Sequence, residues 1–286
     1  MFLVSNTSSE GTAGGRTMEP ILKVENLVKR YAKRNLVRAP QELLALDSVS
    51  FTLSAGTTLA IVGESGSGKS TLASCIACLE TPTAGNLWFG RINLALATEN
   101  DLRKIRPQIQ LIFPDPASSL NPRWTILDIV VEPLVVQGKL GRNERMTRAF
   151  SLLERVGLSA EIAERPAAEL SGGQRQRLAI ARALTLEPKI LILDEALSAL
   201  DCSIQAQIAN LLLELQSSLG TTFLLISHDL TMAAHLADEI AVMSRGQIVE
   251  HGPSAKLLRT PASGATRQLL AAVPQLPRVP QPAAQR

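Results

Sequence analysis

Gly63-Glu64-Ser65-Gly66-Ser67-Gly68-Lys69-Ser70-Thr71 fits the pattern G-x-x-x-x-G-K-[ST], and its flanks decide what it means. The run Thr57 to Val62 before it is apolar and β-branched and predicts a buried strand. Ser70 to Leu79 after it carries the small and apolar residues of a packed helix. The motif therefore falls on a strand-to-helix turn. There its glycines let the backbone curl into a concave ring of N–H groups, and the helix N-terminus adds partial positive charge. In such a ring Lys69 reaches the β- and γ-phosphates of a nucleotide and the Ser70 hydroxyl ligates Mg²⁺. A Gly/Ser-rich turn that binds nothing would need neither the lysine nor the hydroxyl.

Composition narrows the setting. With 286 residues and 45% apolar content, the chain can build one α/β domain with an insertion. Its 29 basic and 26 acidic residues nearly balance, and aromatics are only 3%. Neither an electrostatic footprint for nucleic acid nor stacking platforms for bases are visible, so no nucleic-acid partner is expected. No apolar run approaches the roughly 20 residues of a membrane span, and Met1 to Met18 lacks the apolar core of a signal peptide. Cys75 and Cys78 have C-x-x-C spacing but no second ligand pair, so packing is the better reading than metal or redox work.

Taken in order, residues 1–20 are rich in Ser, Thr and Gly and read as a disordered leader. Ile21 to Leu27 and Leu43 to Leu53 predict strands of an antiparallel β layer. Between them lies Lys29-Arg30-Tyr31-Ala32-Lys33-Arg34, whose Tyr31 could stack on an adenine or simply lie on the surface. Asn86 to Phe89 and Ile109 to Phe113 are further strands, and Pro114-Asp115-Pro116 stops the second abruptly. Residues 125–169 show helical spacing, with Phe150, Leu153 and Val156 on one face of Met146 to Val156.

Two further segments carry chemistry. In Leu170-Ser171-Gly172-Gly173-Gln174, Ser171 caps a helix running through Leu178 to Leu184, and the glycines leave N–H groups uncovered at a positive helix end. This is a second potential anion site, although Ser-Gly-Gly is also ordinary loop material. Ile190 to Leu193 is an apolar run of the kind buried in a parallel sheet, and it delivers Asp194 and Glu195 to the ligand edge. Asp194 is expected to hold Mg²⁺ and Glu195 to act as general base. Ser198 to Asp201 opens an amphipathic helix to Leu219 whose apolar face is Ile204, Ile208, Leu211, Leu212 and Leu215. Thr221 to Ser227 predicts the next buried strand, and His228 just beyond it faces the γ-phosphate region. Ile240 to Met243 and Gln247 to Glu250 look like a hairpin, and the chain closes with a proline-rich tail over 271–286.

The phosphate loop, the Leu170 to Gln174 segment, the acidic strand end Ile190 to Glu195, the Ser198 to Asp201 loop and His228 occur in the order found in the ATP-binding subunits of ABC transporters, which the chain resembles over about Ile21 to Gly252. The resemblance implies a P-loop NTPase core with a mostly parallel sheet, an N-terminal antiparallel β layer and a helical subdomain at about 115–180. The ATP-binding domain is then expected over 21–270. It also implies ATP and Mg²⁺ as ligands and head-to-tail pairing of two ATP-binding subunits. Each nucleotide would then lie between one chain's phosphate loop and the other's Ser171-Gly172-Gly173-Gln174, with Tyr31 against the adenine. Two separate transmembrane permease subunits and an external solute-binding protein complete such a system, which places the chain at the cytoplasmic face of the inner (plasma) membrane.

A narrower resemblance is to the oligopeptide, dipeptide and nickel import group. It is carried by Asp115-Pro116-Ala117-Ser118-Ser119-Leu120-Asn121-Pro122-Arg123, by Glu250-His251-Gly252-Pro253 through Thr260-Pro261, and by Leu269-Leu270-Ala271-Ala272-Val273-Pro274. Import of peptides is the expected function; nickel or another small solute is the alternative. A soluble ABC ATPase without transport work fits less well, since one nucleotide core and no sustained heptads are present. One departure stands out. Where the family places a glutamine touching Mg²⁺ and the attacking water, this sequence has Pro114, and Gln110 lies four residues too early within the strand. A subunit that binds ATP but hydrolyses it poorly is the reading that this departure adds.

Overall fold

The computed structural model describes residues 20–33, 41–138, 140–198 and 200–272. The expected leader and tail lie largely outside them, but Pro20 already opens a strand and Ala271 and Ala272 finish a helix.

Strands β1 (Pro20–Lys33), β2 (Gln41–Ser54), β4 (Ala84–Phe89) and β5 (Ile92–Asn93) form an antiparallel sheet in the order β2-β1-β4-β5. A second sheet joins β3 (Thr58–Val62), β6 (Ile109–Ile112), β7 (Ile190–Asp194), β8 (Thr222–Ser227), β9 (Glu239–Ser244) and β10 (Gln247–Pro253) in the order β10-β9-β3-β8-β7-β6. All its pairs are parallel except the β9–β10 hairpin. Val62 pairs with Ser227 and Asp194 with Ile226, so the strands carrying the expected chemistry end together at one sheet edge.

The central strands β3, β7 and β8 are buried at every position and mostly apolar because both faces are covered, while β6 at the sheet edge carries the half-buried Gln110. Side chains alternate between the faces, and the alternation sorts each strand between two cores. Leu59, Ile61, Ile190, Ile192, Leu224 and Ile226 face the antiparallel sheet and helix α1 (Lys69–Ile76). Ala60, Val62, Leu191, Leu193, Phe223 and Leu225 face the helices of the opposite layer. Fully burying a side chain of this size stabilises by roughly 1.5–3 kcal/mol, so a one-residue slip of any strand would exchange its two faces at heavy cost.

The other helices in chain order are α2 (Glu99–Ile105), the single turn α3 (Pro116–Ser119), α4 (Ile126–Gln137), α5 (Arg142–Arg155), α6 (Gly172–Leu184), α7 (Cys202–Leu219), α8 (Leu230–Leu236), α9 (Ser254–Arg259) and α10 (Gly264–Ala272). Their starts follow capping chemistry. Thr125, Ser171 and Asp201 each accept the N–H of the residue three positions on, filling one of the orphan donors of a helix end.

Several expectations need correction. Helix α1 stops at Ile76 rather than Leu79, because the chain turns through a left-handed Cys78 (φ 58°) and leaves Leu79 exposed. β1 continues past Leu27 to Lys33, so Tyr31 sits on a strand opposite Leu43. Residues 157–169 form no α-helix, only short 3₁₀ turns at 160–162 and 167–169. On α5 the buried face is Ala149, Leu152 and Leu153 with Val156 beyond, and Phe150 lies at its exposed margin. Ile204 of α7 packs against the core as expected but at its margin, where it is only half-buried and fills the room that Gly173 leaves. Cys75 and Cys78 are buried between the sheets, where burial pushes both thiols up to about 11, the state of packed and unreactive cysteines.

Candidate nucleotide site

The loop between β3 and α1 is closed tightly from behind. A Cβ on Gly63 would lie 2.1 Å from the Met243 carbonyl oxygen, and one on Gly68 (φ 106°) would lie 2.4 Å from that of Ala45. Glycine at both places is thus a steric requirement imposed by β9 and β2. The Gly246 N–H donates to the Ser67 carbonyl (2.9 Å), tying the β9–β10 turn to the loop. Inside the loop, Lys69 Nζ donates to the carbonyls of Gly63 and Glu64, each at 2.8 Å, and its side chain is buried. Burial lowers its pKa, and the carboxylates of Glu195 and Asp194 oppose that shift. Ser67 Oγ is buried and has no hydrogen-bond partner among the described residues.

At the end of β7, Asp194 Oδ1 accepts a hydrogen bond from Ser70 Oγ at 3.1 Å. Asp194 is buried, which raises its pKa, while the Ser70 hydroxyl and Lys69 pull it back. Glu195 follows in the left-handed region (φ 46°), an uncommon conformation for a glutamate. It is held there by its own N–H donating to the Ile226 carbonyl (2.9 Å) and by Ser198, whose N–H and hydroxyl both donate to the Glu195 carbonyl. Its carboxylate lies 4.0 Å from Lys69 Nζ and 3.4 Å from His228 Nδ1. The structure thus brings Lys69, Ser70, Asp194, Glu195 and His228 together as expected.

Beside the loop opens a cleft of about 290 Å³ lined by Tyr31, Leu43, Leu44 and Ala45 together with Ser65, Gly66, Gly68 to Thr71 and Glu195. Lys29 Nζ stands 5.0 Å from the centre of the Tyr31 ring. A larger cleft of about 810 Å³ lies between α5 and the segment around Pro188 and Leu219. It contains none of these groups, so chemistry rather than size selects the smaller one.

Ser171, Gly172, Gly173 and Gln174 lie elsewhere. Ser171 and Gln174 cap one another reciprocally at the start of α6, and none of these four residues lines the cleft beside the phosphate loop. A Cβ on Gly173 would meet Ile204 Cγ2 at 2.7 Å, so this glycine admits α7 against α6. The Ser171–Gln174 helix start is therefore separate from the cleft beside the phosphate loop. Leu43, Leu44, Ala45 and Met243 escaped sequence reasoning, since nothing local in an apolar strand says which backbone carbonyl will back a distant loop. Gly246 in Ser244-Arg245-Gly246 was the one available signal, a turn glycine at φ 83°.

A strand, a glycine-lined anion ring, a buried lysine and a hydroxyl–carboxylate pair at one sheet edge define a P-loop ATPase. An ABC transporter family model matches residues 46–198, and the chain belongs to that family. The dipeptide transport ATP-binding protein DppF of Haemophilus influenzae is 44% identical over 259 residues, covering 90% of this chain and 79% of that protein. The glutathione import ATP-binding protein GsiA of Escherichia coli K12 is 48% identical over 258 residues, but this chain spans only 41% of its length. Among solved structures, the ATP-binding cassette MJ0796, dimeric and bound to ADP and Pi, superposes with a TM-score of 0.72 at 32% identity, covering 82% of this chain and 98% of that one. CbiO1 of Clostridium perfringens, part of the cbiONQ transporter complex, gives 0.73 at 30% identity, with 84% and 91% covered.

Proposed function

We propose that this chain binds and hydrolyses ATP at the Lys69–Ser70–Asp194–Glu195 site to power import of small peptides through separate permease subunits. The carrying observation is the 3.1 Å contact of Ser70 with Asp194, beside a buried lysine that donates to two loop carbonyls. Mg²⁺ suits this donor set, since it is commonly held by a hydroxyl and one carboxylate, the rest of its shell being water and phosphate. Ser70 and Asp194 would hold it, and when bound it neutralises charge on the β- and γ-phosphates.

In this reading the amides of Gly63 to Thr71 and Lys69 hold the phosphates. Glu195 takes a proton from water as its oxygen attacks the γ-phosphorus, and the bond to the β-phosphate oxygen breaks to release ADP. His228, 3.4 Å from Glu195, holds the carboxylate in line and touches the γ-phosphate. Tyr31 stacks on the adenine. The separation of Ser171–Gln174 from this cleft supports a paired arrangement in which each subunit completes the other's site.

The peptide assignment is supported by the names of the relatives that match most of this chain's length, dipeptide and di/tripeptide transport proteins. ATPase activity of the complex reconstituted with its permease and binding protein tests it. Dipeptides, tripeptides or glutathione should stimulate turnover, and stimulation by nickel alone would replace the assignment. A second reading, an ATP-binding partner that hydrolyses poorly, is favoured by one observation. Pro114 has no side-chain oxygen, and Gln110 Nε2 is committed to the Arg106 carbonyl at 2.7 Å.

A further inference from the structure

We infer that Glu250 is a positioning residue for the nucleotide site: its carboxylate clamps the first turn of α10 so that this C-terminal helix stands as a back wall of the phosphate loop. The inference rests on reading that loop as the ATP site. Along β10 exposure alternates, and Glu250 lies on the less exposed, half-buried side with Ile248 and Gly252, so its carboxylate is not left to water alone. It is saturated with donors. Oε1 accepts the Ala262 N–H at 2.9 Å, while Oε2 accepts the Ser263 N–H at 2.8 Å and the Thr266 hydroxyl at 2.5 Å. Thr266 is itself fully buried and its N–H donates to Ser263 Oγ at 3.0 Å. The pairing register with β9 slips between Ile248 and Glu250, a local irregularity of the kind that re-aims a side chain. Burial alone would raise the Glu250 pKa, but the hydrogen bonds from Ala262, Thr266 and Ser263 outweigh it and bring it to about 2.

The clamp leads to the loop. On the same helix Ala265, Gln268 and Leu269 line a crevice of about 190 Å³ that is also lined by Glu64, Ser65, Gly66 and Ser67 and by Met243 to Arg245. α10 therefore faces, across this crevice, the residues whose amides would bind phosphate. Apolar packing by Leu269 and Leu270 would hold a helix nearby; a carboxylate locking its first turn also fixes where it stands. A loop held in its binding shape loses less entropy on taking up nucleotide, so freeing α10 should weaken ATP binding without touching the reacting groups.

The test compares the full-length chain with Glu250→Gln, which keeps the size but sets amide hydrogens against N–H donors, and with Thr266→Val, which removes one donor. Expected for Glu250→Gln is an ATP KM about five- to tenfold higher with kcat within twofold, and a smaller rise for Thr266→Val. The double variant should be less than additive, because both changes break one cluster. Hydrogen exchange without nucleotide should quicken at 262–272 and also at 63–68. Faster exchange at 262–272 with unchanged loop exchange and unchanged KM overturns the inference. So does a fall of kcat in step with folded fraction. Should Glu250→Gln fail to melt cooperatively, Thr266→Val alone decides, and an unchanged KM there is also fatal. If the wild-type chain takes up no ATP, the functional reading fails by itself, and coupled exchange at 262–272 and 63–68 still decides the clamp.

Discussion

Ser70 Oγ and Asp194 Oδ1 meet at 3.1 Å, although 124 residues separate them in the chain. The contact joins the N-terminus of α1 to the C-terminal end of β7, and it brings together the neutral and the anionic oxygen expected around Mg²⁺. Asp194→Asn keeps the shape and the hydrogen bond but removes the charge. Hydrolysis should fall by roughly 10²-fold or more, with a higher Mg²⁺ requirement in a titration of rate against metal. An unchanged Mg²⁺ dependence would remove Asp194 from the metal's shell.

Lys69→Ala should abolish productive ATP binding. Among the described residues its ammonium is the one buried side-chain cation at the loop, and without it the phosphates face mainly backbone dipoles. Nucleotide titration of the full-length chain measures this, and wild-type affinity in the variant would sink the proposed site.

Glu195→Gln should slow turnover by roughly 10²-fold or more while ATP stays bound, since a general base contributes about that much and the amide retains the left-handed anchor at Ile226 and Ser198. Trapped ATP-bound dimers should accumulate in gel filtration. Normal turnover would assign the base elsewhere.

The parallel core was legible from sequence because each strand is short, mostly apolar and flanked by turn residues, and the phosphate loop is contiguous. What sits behind the loop was not. Glycine at position 68 follows from the Ala45 carbonyl, an atom in another sheet, and the backing by α10 depends on a glutamate whose donors lie more than ten positions away. Helix ends were misread where tertiary packing sets them, as at Cys78, and 157–169 has helical spacing but carries Gly157 and Pro166, which break it into turns. Tyr31 was foreseen, yet its partners in the cleft, Leu43 and Leu44, were not, because strand pairing rather than proximity in sequence supplies them.

Glu250 gives the C-terminal helix an acid limit. Its pKa falls from 4.5 to about 2 on folding, so its contribution is fully present above about 4.5 and is lost as pH falls toward about 2. Other charges nearby are Arg267, which donates to the Ala262 carbonyl, and the pair of His251, next to Glu250 on β10, with Glu239 on β9. Exchange at 262–272 should therefore quicken between about pH 4.5 and 2 in the wild type. In Glu250→Gln it should already be fast at neutral pH, with a flatter profile. Matching profiles for the two proteins would show that another group controls the release.

Pro114 stands two residues beyond β6, on the same sheet edge as Asp194, and it is exposed. Proline supplies neither a side-chain oxygen nor a backbone donor, and its ring restricts the chain between Phe113 and the short helix that starts at Pro116. Gln110 cannot substitute, because its amide is turned back onto the Arg106 carbonyl. Pro114→Gln should therefore raise ATP turnover in the complex assembled with its permease subunits, by supplying an oxygen near the attacking water and by freeing the segment to move with its membrane partner. ATP affinity should change less than rate, since Lys69 and the loop amides are untouched. The measurement is peptide-stimulated ATPase of wild type and variant side by side. Equal basal rates and equal stimulation would mean that proline is tolerated at this position, and the poorly hydrolysing partner would then lose its only structural support.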